Sequence, residues 1–192
     1  RSQLLRQLDP DLAEPFNKLA AERYTVHMGR TVTSATEDSE GITLTLDDGT
    51  TVSSESLLIA TGRIPNSDTL DVAAAGIETH EGGRVAVDEF GRTSVDGVWS
   101  LGDLSSPYQL KHVANAEQRA VTHNVLQAWA GNDDSTMVPM PHEHVPSAIF
   151  THPQIATVGL TEQEAVDAGF DVTVKLQNYG DVAYGWGLED ST

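Results

Sequence analysis

Apolar positions recur along the chain in two rhythms. Over residues 9–23 (DPDLAEPFNKLAAER) they return every three or four residues, placing Leu12, Phe16, Leu19 and Ala20 on one face. That spacing predicts an amphipathic helix. Asp9 stands where an N-cap belongs, and Pro10 suits the first helical position, where a missing N–H is no loss. Pro15 falls early enough to be tolerated. From residue 31 to 60 the rhythm shortens. TVTSATED, GITLTLDDG and TVSSESLLIA are β-branched and partly alternating, which predicts three strands. EDSEG reads as a turn, and the Asp-Gly of DDGT suits the positive φ of a primed hairpin turn. LLIA, residues 57–60, is a continuous apolar run, the pattern of a strand buried on both faces.

The chain turns at TGRIPNSD and then carries short apolar pieces between glycines over residues 69–92. A strand VWSL is expected at 98–101, ending in Gly102-Asp103. After the loop LSSPYQ comes the longest helical pattern, residues 111–130, with Val113, Ala116, Ala120, Val121, Leu126 and Trp129 marking its apolar face. Gly131 sits where a C-terminal cap belongs. Residues 131–146 (GNDDSTMVPMPHEHVP) are polar and hold three of the eight prolines, so a domain boundary is expected there. Beyond it lie an apolar SAIF, a strand ATVGL, a helix opened by the capping box Thr161 to Glu164 and closed by Gly169, and a strand FDVTVKL.

Composition narrows the function classes. Among 192 residues, 29 Asp and Glu face 11 Lys and Arg, a net charge of -18. Binding to a nucleic-acid backbone needs clustered cations, so that partner is not expected. No apolar run approaches the length of a membrane span, so no membrane partner is expected either. The absence of cysteine removes thiolate nucleophiles, disulfides and Cys-based metal sites from these residues. No GxGxxG, Walker loop, GxSxG or HExxH is present. His142, His144 and His152 form the one histidine cluster, and His142-Glu143-His144 on a strand would put two imidazoles on one face. An exposed connector beside prolines is the stronger reading, and no metal site is expected. The first residue is Arg1 and no signal-peptide pattern follows, so the chain is read as a piece of a longer product. The cytoplasm is the expected compartment.

Gly102-Asp103 carries the most chemistry. A carboxylate at the end of a buried strand in an open α/β sheet stands where cofactors bind, and it accepts hydrogen bonds from polyol hydroxyls. The helix that begins soon afterwards offers unpaired N–H groups to negative charge. Taken alone, Gly-Asp after a strand is also simply a turn. Four stretches in order change the balance: LLIATGRIPNSD, TSVDGVWSLGD, QLKHVANAEQRA and IFTHPQIATVGLTEQEA. Together they resemble the pyridine nucleotide-disulfide oxidoreductase family over essentially the whole chain. QLKHVANAEQ and YGDVAYGWGLED single out one member within it.

The resemblance implies an α/β fold, a fragment of a flavoprotein with two Rossmann-like dinucleotide-binding domains, for FAD and NAD(P), and the start of an α+β dimerisation domain. Residues 1–62 would be the end of the NADPH domain, 63–140 the second half of the FAD domain, and 141–192 the start of the dimerisation domain. The implied cofactors are FAD and NADPH. The implied partners are a small-molecule disulfide substrate and a second copy of the full-length protein. The family's Gly-rich FAD fingerprint, cysteine pair and C-terminal His-Glu pair have no match here. No catalytic residue is therefore expected in this chain, and the isolated chain is expected to be inactive. By resemblance Asp103, with Gly102, meets the FAD ribityl chain, and Leu110, Lys111 and His112 form the helix N-terminus aimed at the flavin. Lys111 has the equal alternative of a solvated side chain. Gly62 would allow close backbone approach to FAD, and Arg63 either contacts FAD or ties two domains together. Arg1 and Arg6 match residues that hold the 2′-phosphate of NADPH, against the alternative of two solvated side chains. Another member of the family, and a non-catalytic α/β assembly module, are the rival readings.

Overall fold

The computed structural model describes residues 1–189. Two compact units divide them: Arg1–Ile59 together with the residues from Pro146 onward, and Ala60–Val145.

In the first unit, helix α1 (Pro10–Arg23) begins at a proline as expected. Its buried positions are Ala13 and Ala20, one heptad apart, while Leu12 is exposed. Asp9 does not cap α1 with its side chain. Its carboxylate instead accepts the Glu162 N–H at 2.9 Å, at the start of α3 (Glu162–Asp167). Asn17 on α1 holds the preceding turn. Its side chain accepts from Leu4 N–H at 2.8 Å and donates to Leu4 O and Ala13 O. Strands β1 (Val32–Asp38), β2 (Gly41–Leu46) and β3 (Thr51–Ser54) form an antiparallel meander, with Leu44 opposite both Ala35 and Val52. The β2–β3 connection is a three-residue turn with Gly49 at φ +84°, not the expected two-residue primed turn. Leu46 N–H reaches past it to Thr50 O at 2.8 Å.

The third expected strand stops at Ser54. LLIA is not a buried strand: Leu58 and Ile59 are 88% and 74% exposed. FDVTVKL at 170–176 likewise forms no paired strand, and Phe170 and Leu176 are exposed. A strand exists by pairing its backbone N–H and C=O groups, and an apolar run cannot supply the partner. Among the described residues no strand pairs with either run. SAIF and ATVGL do pair, as the short hairpin β4 (Ser147–Ile149) and β5 (Ile155–Thr157). The α3 capping box forms: Thr161 Oγ1 accepts from Glu164 N–H, and the Glu164 carboxylate accepts from Thr161 N–H. Gly169 follows at φ +84°. A short α4 (Ala183–Gly187) completes the unit.

The second unit is organised around α2 (Lys111–Trp129). Val113, Glu117, Ala120, Val121 and Asn124 are its buried residues. They form one stripe, because each residue advances about 100° around a helix. By the same count Leu126 and Trp129 fall on the far side, which corrects the expected apolar face; Trp129 is 85% exposed. Gly131 takes φ +76°, and its N–H and that of Asn132 bond back to Ala128 O and Gln127 O, closing the helix with a Schellman motif.

Residues 131–145 are not a bare linker but pack on α2. Asn124 donates to Phe90 O and Val138 O and accepts from Val138 N–H. VWSL forms no strand. It runs extended, with a single antiparallel bridge between Trp99 and Arg92. Arg92 ties this region to the turn after α2. Its Nε donates to Asp88 at 2.7 Å, and its two terminal nitrogens donate in parallel to Asp134 at 2.8 and 2.9 Å.

Partial burial pushes the Asp88 carboxyl up, but hydrogen bonds from the Arg92 guanidinium and from the Arg92 and Phe90 N–H groups outweigh it. The net pKa lies below the ordinary 3.8. A depressed folded-state pKa contributes stability above the ordinary value, and that contribution is lost as pH falls through the folded one. Asp88→Asn is therefore expected to unfold at lower temperature than the parent at pH 7. The gap should close as the pH falls below about 3.8, which thermal melts across pH will measure.

Candidate functional site

Leu101 arrives extended and the chain turns at Gly102, whose φ of +67° lies in the left-handed region that favours glycine. Gly102–Leu104 form one turn of 3-10 helix, and Ser105 and Ser106 N–H groups bond to Gly102 O at 3.0 and 2.7 Å. The turn lies against the start of α2: a Cβ on residue 102 would stand 3.4 Å from Ala114 Cβ. Arg84 and Val85 pin its far side, through Arg84 Nη1 to Ser105 O at 3.1 Å and Val85 N–H to Leu104 O at 2.9 Å.

The Gly102 N–H donates to Glu117 Oε2 at 2.6 Å. Glu117 is fully buried, and its other oxygen lies 2.6 Å from His142 Nε2. Tyr108 meets the His142 ring edge-on and donates its hydroxyl to His142 O at 3.1 Å. Glu117 is not among the sequence-derived candidates. The signal for it is its position: it lies four residues after Val113 and three before Ala120, in the middle of the buried stripe, where a carboxylate needs a reason.

Asp103 projects from this turn exposed, with no hydrogen bond or ion pair to its carboxylate among the described residues. The α2 N-terminus is near in the fold. Its N-cap, Leu110, supplies no side-chain oxygen to the first N–H groups, and Lys111 and His112 are exposed there. Arg63 reaches the same corner, with Nη1 donating to Gln109 O at 3.1 Å. Gly62 precedes it in open space, with no atom within 4 Å of where a Cβ would stand. The structure thus brings Gly102, Asp103, Leu110, Lys111, His112 and Arg63 into one unit, on the turn and the helix start that face it. Arg1 and Arg6 belong to the other unit. Both are exposed, Arg1 before the turn held by Asn17 and Arg6 within it, and neither guanidinium makes an ion pair among the described residues.

The donor and acceptor chemistry fits a flavin dinucleotide. An unpaired carboxylate can accept from polyol hydroxyls, an uncapped helix start favours negative charge, and glycine leaves the backbone open to close approach. Ser100 and Ser105 Oγ, on either side of Gly102, are buried without a hydrogen-bond partner among the described residues. A cavity of about 750 Å³ lies elsewhere in the same unit, lined by Glu78, Arg92, Trp99 and Asp134 among others. Its one guanidinium is already held by two carboxylates, so it offers less to a ligand than the Asp103 turn. Of the histidines in the connector, His144 lies in a turn and His142 is engaged by Glu117; no group of three potential metal ligands occurs among the described residues.

Comparison with known proteins places the chain in a family. The pyridine nucleotide-disulphide oxidoreductase pattern matches residues 1–120, and the dimerisation domain of the same family matches residues 145–191. The chain belongs to the pyridine nucleotide-disulphide oxidoreductase family, whose proteins bind FAD and use a nicotinamide nucleotide. It is 50% identical to mycothione reductase of Mycobacterium tuberculosis over 98% of its length, and 35% identical to dihydrolipoyl dehydrogenase of Halobacterium salinarum over 89%. It spans 40% and 35% of those two proteins. Among solved structures, LpdA of M. tuberculosis superposes with a TM-score of 0.78 at 26% identity, over 95% of this chain and 39% of that one. The flavoprotein disulfide reductase RclA of Escherichia coli superposes with a TM-score of 0.83 at 22% identity, over 99% and 42%, a likeness of fold. No helix among the described residues is long and apolar enough to cross a membrane.

The left-handed φ at Gly102 makes the turn sensitive to a single methyl group. Gly102→Ala is expected to cost about 1–2 kcal/mol of unfolding free energy. Denaturant unfolding of the parent and the variant measures it, and equal midpoints would show that the turn adapts.

Proposed function

We propose that this chain is part of an NADPH-dependent flavoprotein that reduces mycothiol disulfide, acting as a cytoplasmic homodimer in its full-length form. The observation that carries the flavin assignment is the exposed, unpaired Asp103 carboxylate, held on a fixed turn beside the uncapped start of α2. The choice of mycothiol disulfide rests on the 50% identity to mycothione reductase. Dihydrolipoyl dehydrogenases and a glutathione reductase stand at 35% and below.

When bound, FAD supplies the two-electron carrier between the nicotinamide and a disulfide. The residues of this chain bind and orient. Asp103 accepts hydrogen bonds from the ribityl hydroxyls, presented by the left-handed turn at Gly102. The α2 N-terminus at Leu110, Lys111 and His112 turns its positive dipole end toward the flavin and favours negative charge there. Gly62 and Arg63 complete the FAD edge, Arg63 by holding the Gln109 carbonyl that precedes α2. No residue of this chain acts as nucleophile or acid–base. Arg1 and Arg6 clamp the 2′-phosphate of NADPH through paired guanidinium donors.

Two measurements on the full-length enzyme test this reading. Asp103→Ala is expected to weaken FAD binding by about 10- to 150-fold, the equivalent of roughly 1.5–3 kcal/mol for a hydrogen bond to a charged group. Flavin occupancy unchanged after extensive dialysis would reduce Asp103 to a turn residue. Arg1→Ala and Arg6→Ala should each raise KM for NADPH about tenfold and leave NADH turnover nearly as it was. An unchanged NADPH/NADH ratio of kcat/KM in the double variant would remove the support for NADPH.

A further inference from the structure

Glu117 is fully buried on α2, yet it is not spent on packing alone. A buried carboxylate is costly unless its oxygens are matched, and here each has a partner. Oε2 accepts the Gly102 N–H and Oε1 meets His142 Nε2, both at 2.6 Å. His142 is in turn steadied by Tyr108, whose ring packs against it and whose hydroxyl binds its carbonyl. A connected path therefore runs from Tyr108 through His142 and Glu117 to the backbone of Gly102, the residue before Asp103.

Resting on the reading of Asp103 as a flavin contact, we infer that Glu117, oriented by His142, is a positioning residue for FAD. Its carboxylate fixes the Gly102 amide and so sets the direction in which the next residue leaves the turn. Gly102 is the freest joint of this segment, because glycine populates either sign of φ. A charge-assisted bond to its N–H removes that freedom more strongly than a neutral one does. Asp103 then meets the cofactor already aimed and does not lose that entropy on binding.

The test is FAD affinity of the full-length flavoprotein, by titration of the apoprotein with FAD and flavin fluorescence. Glu117→Leu fills the same space without an acceptor and is expected to raise the FAD dissociation constant about tenfold. Glu117→Gln keeps an oxygen for the Gly102 N–H and should stay within about threefold of the parent. Glu117→Leu combined with Asp103→Ala should cost less than the product of the two single effects, since both act on one contact. A space-filling role for Glu117 also predicts a parent-like Gln variant, but it predicts that the Leu and Asp103→Ala effects multiply, so this shortfall is what separates the two. His142→Phe, which releases Oε1, gives the same coupling test if Glu117→Leu does not fold. Parent-like FAD binding in Glu117→Leu, or effects of 117 and 103 that simply multiply, would overturn the inference while leaving Asp103 a flavin contact. Full FAD retention in Asp103→Ala would overturn the flavin reading, and this inference with it.

Discussion

A single buried carboxylate ties together three stretches of the second unit. Glu117 joins α2 to the Gly102 turn and to the segment carrying His142, three stretches that are distant in sequence. Burying it carries a desolvation cost of several kcal/mol that only good geometry offsets. The arrangement around it is correspondingly complete, with an oxygen for each partner. Asn124, two turns further along the same stripe, does the equivalent job with neutral groups, joining Phe90 and Val138 to α2. The helix is thus held by polar residues as well as by Val113, Ala120 and Val121. Polar bonds have direction, and direction is what fixes a turn against a helix.

The outer face of the same turn is left unsatisfied. Asp103 has no partner among the described residues, and α2 starts without a side-chain cap. A turn with a fixed inner side and open outer chemistry is suited to a polyanionic, polyhydroxylated ligand. Family membership agrees with this, since its proteins bind FAD. In the first unit, Asn17 does comparable work at smaller scale, pinning the turn that carries Arg6 with two hydrogen bonds to Leu4.

Local rules are the most legible part of the sequence. Pro10 at a helix start, Gly131 and Gly169 at helix ends and the Thr161–Glu164 capping box depend on neighbours within a few residues, and the β1–β2–β3 meander on segments joined by short turns; each is present. The misread strands have one cause. LLIA, VWSL and FDVTVKL have strand-like composition, but a strand is a relation between segments, and composition does not provide the second segment. The α2 face differs for another reason. Apolar character alone puts Leu126 and Trp129 on it, whereas the helical count puts Glu117 and Asn124 there instead. The Gly102-Asp103 turn and the helix after it can be read from spacing. The residue that holds the turn cannot be found by looking for apolar positions, because it is a buried acid.

Whether Glu117 restrains the Gly102 amide decides the matter most directly. Hydrogen–deuterium exchange of the full-length protein, followed by mass spectrometry on peptides spanning residues 99–106, reads that restraint. The parent should show slow exchange at Gly102, and Glu117→Leu should accelerate it selectively, with the peptides of the β1–β2–β3 meander unchanged. Equal exchange at Gly102 in parent and variant would contradict the claim that this buried carboxylate holds the Gly102 turn.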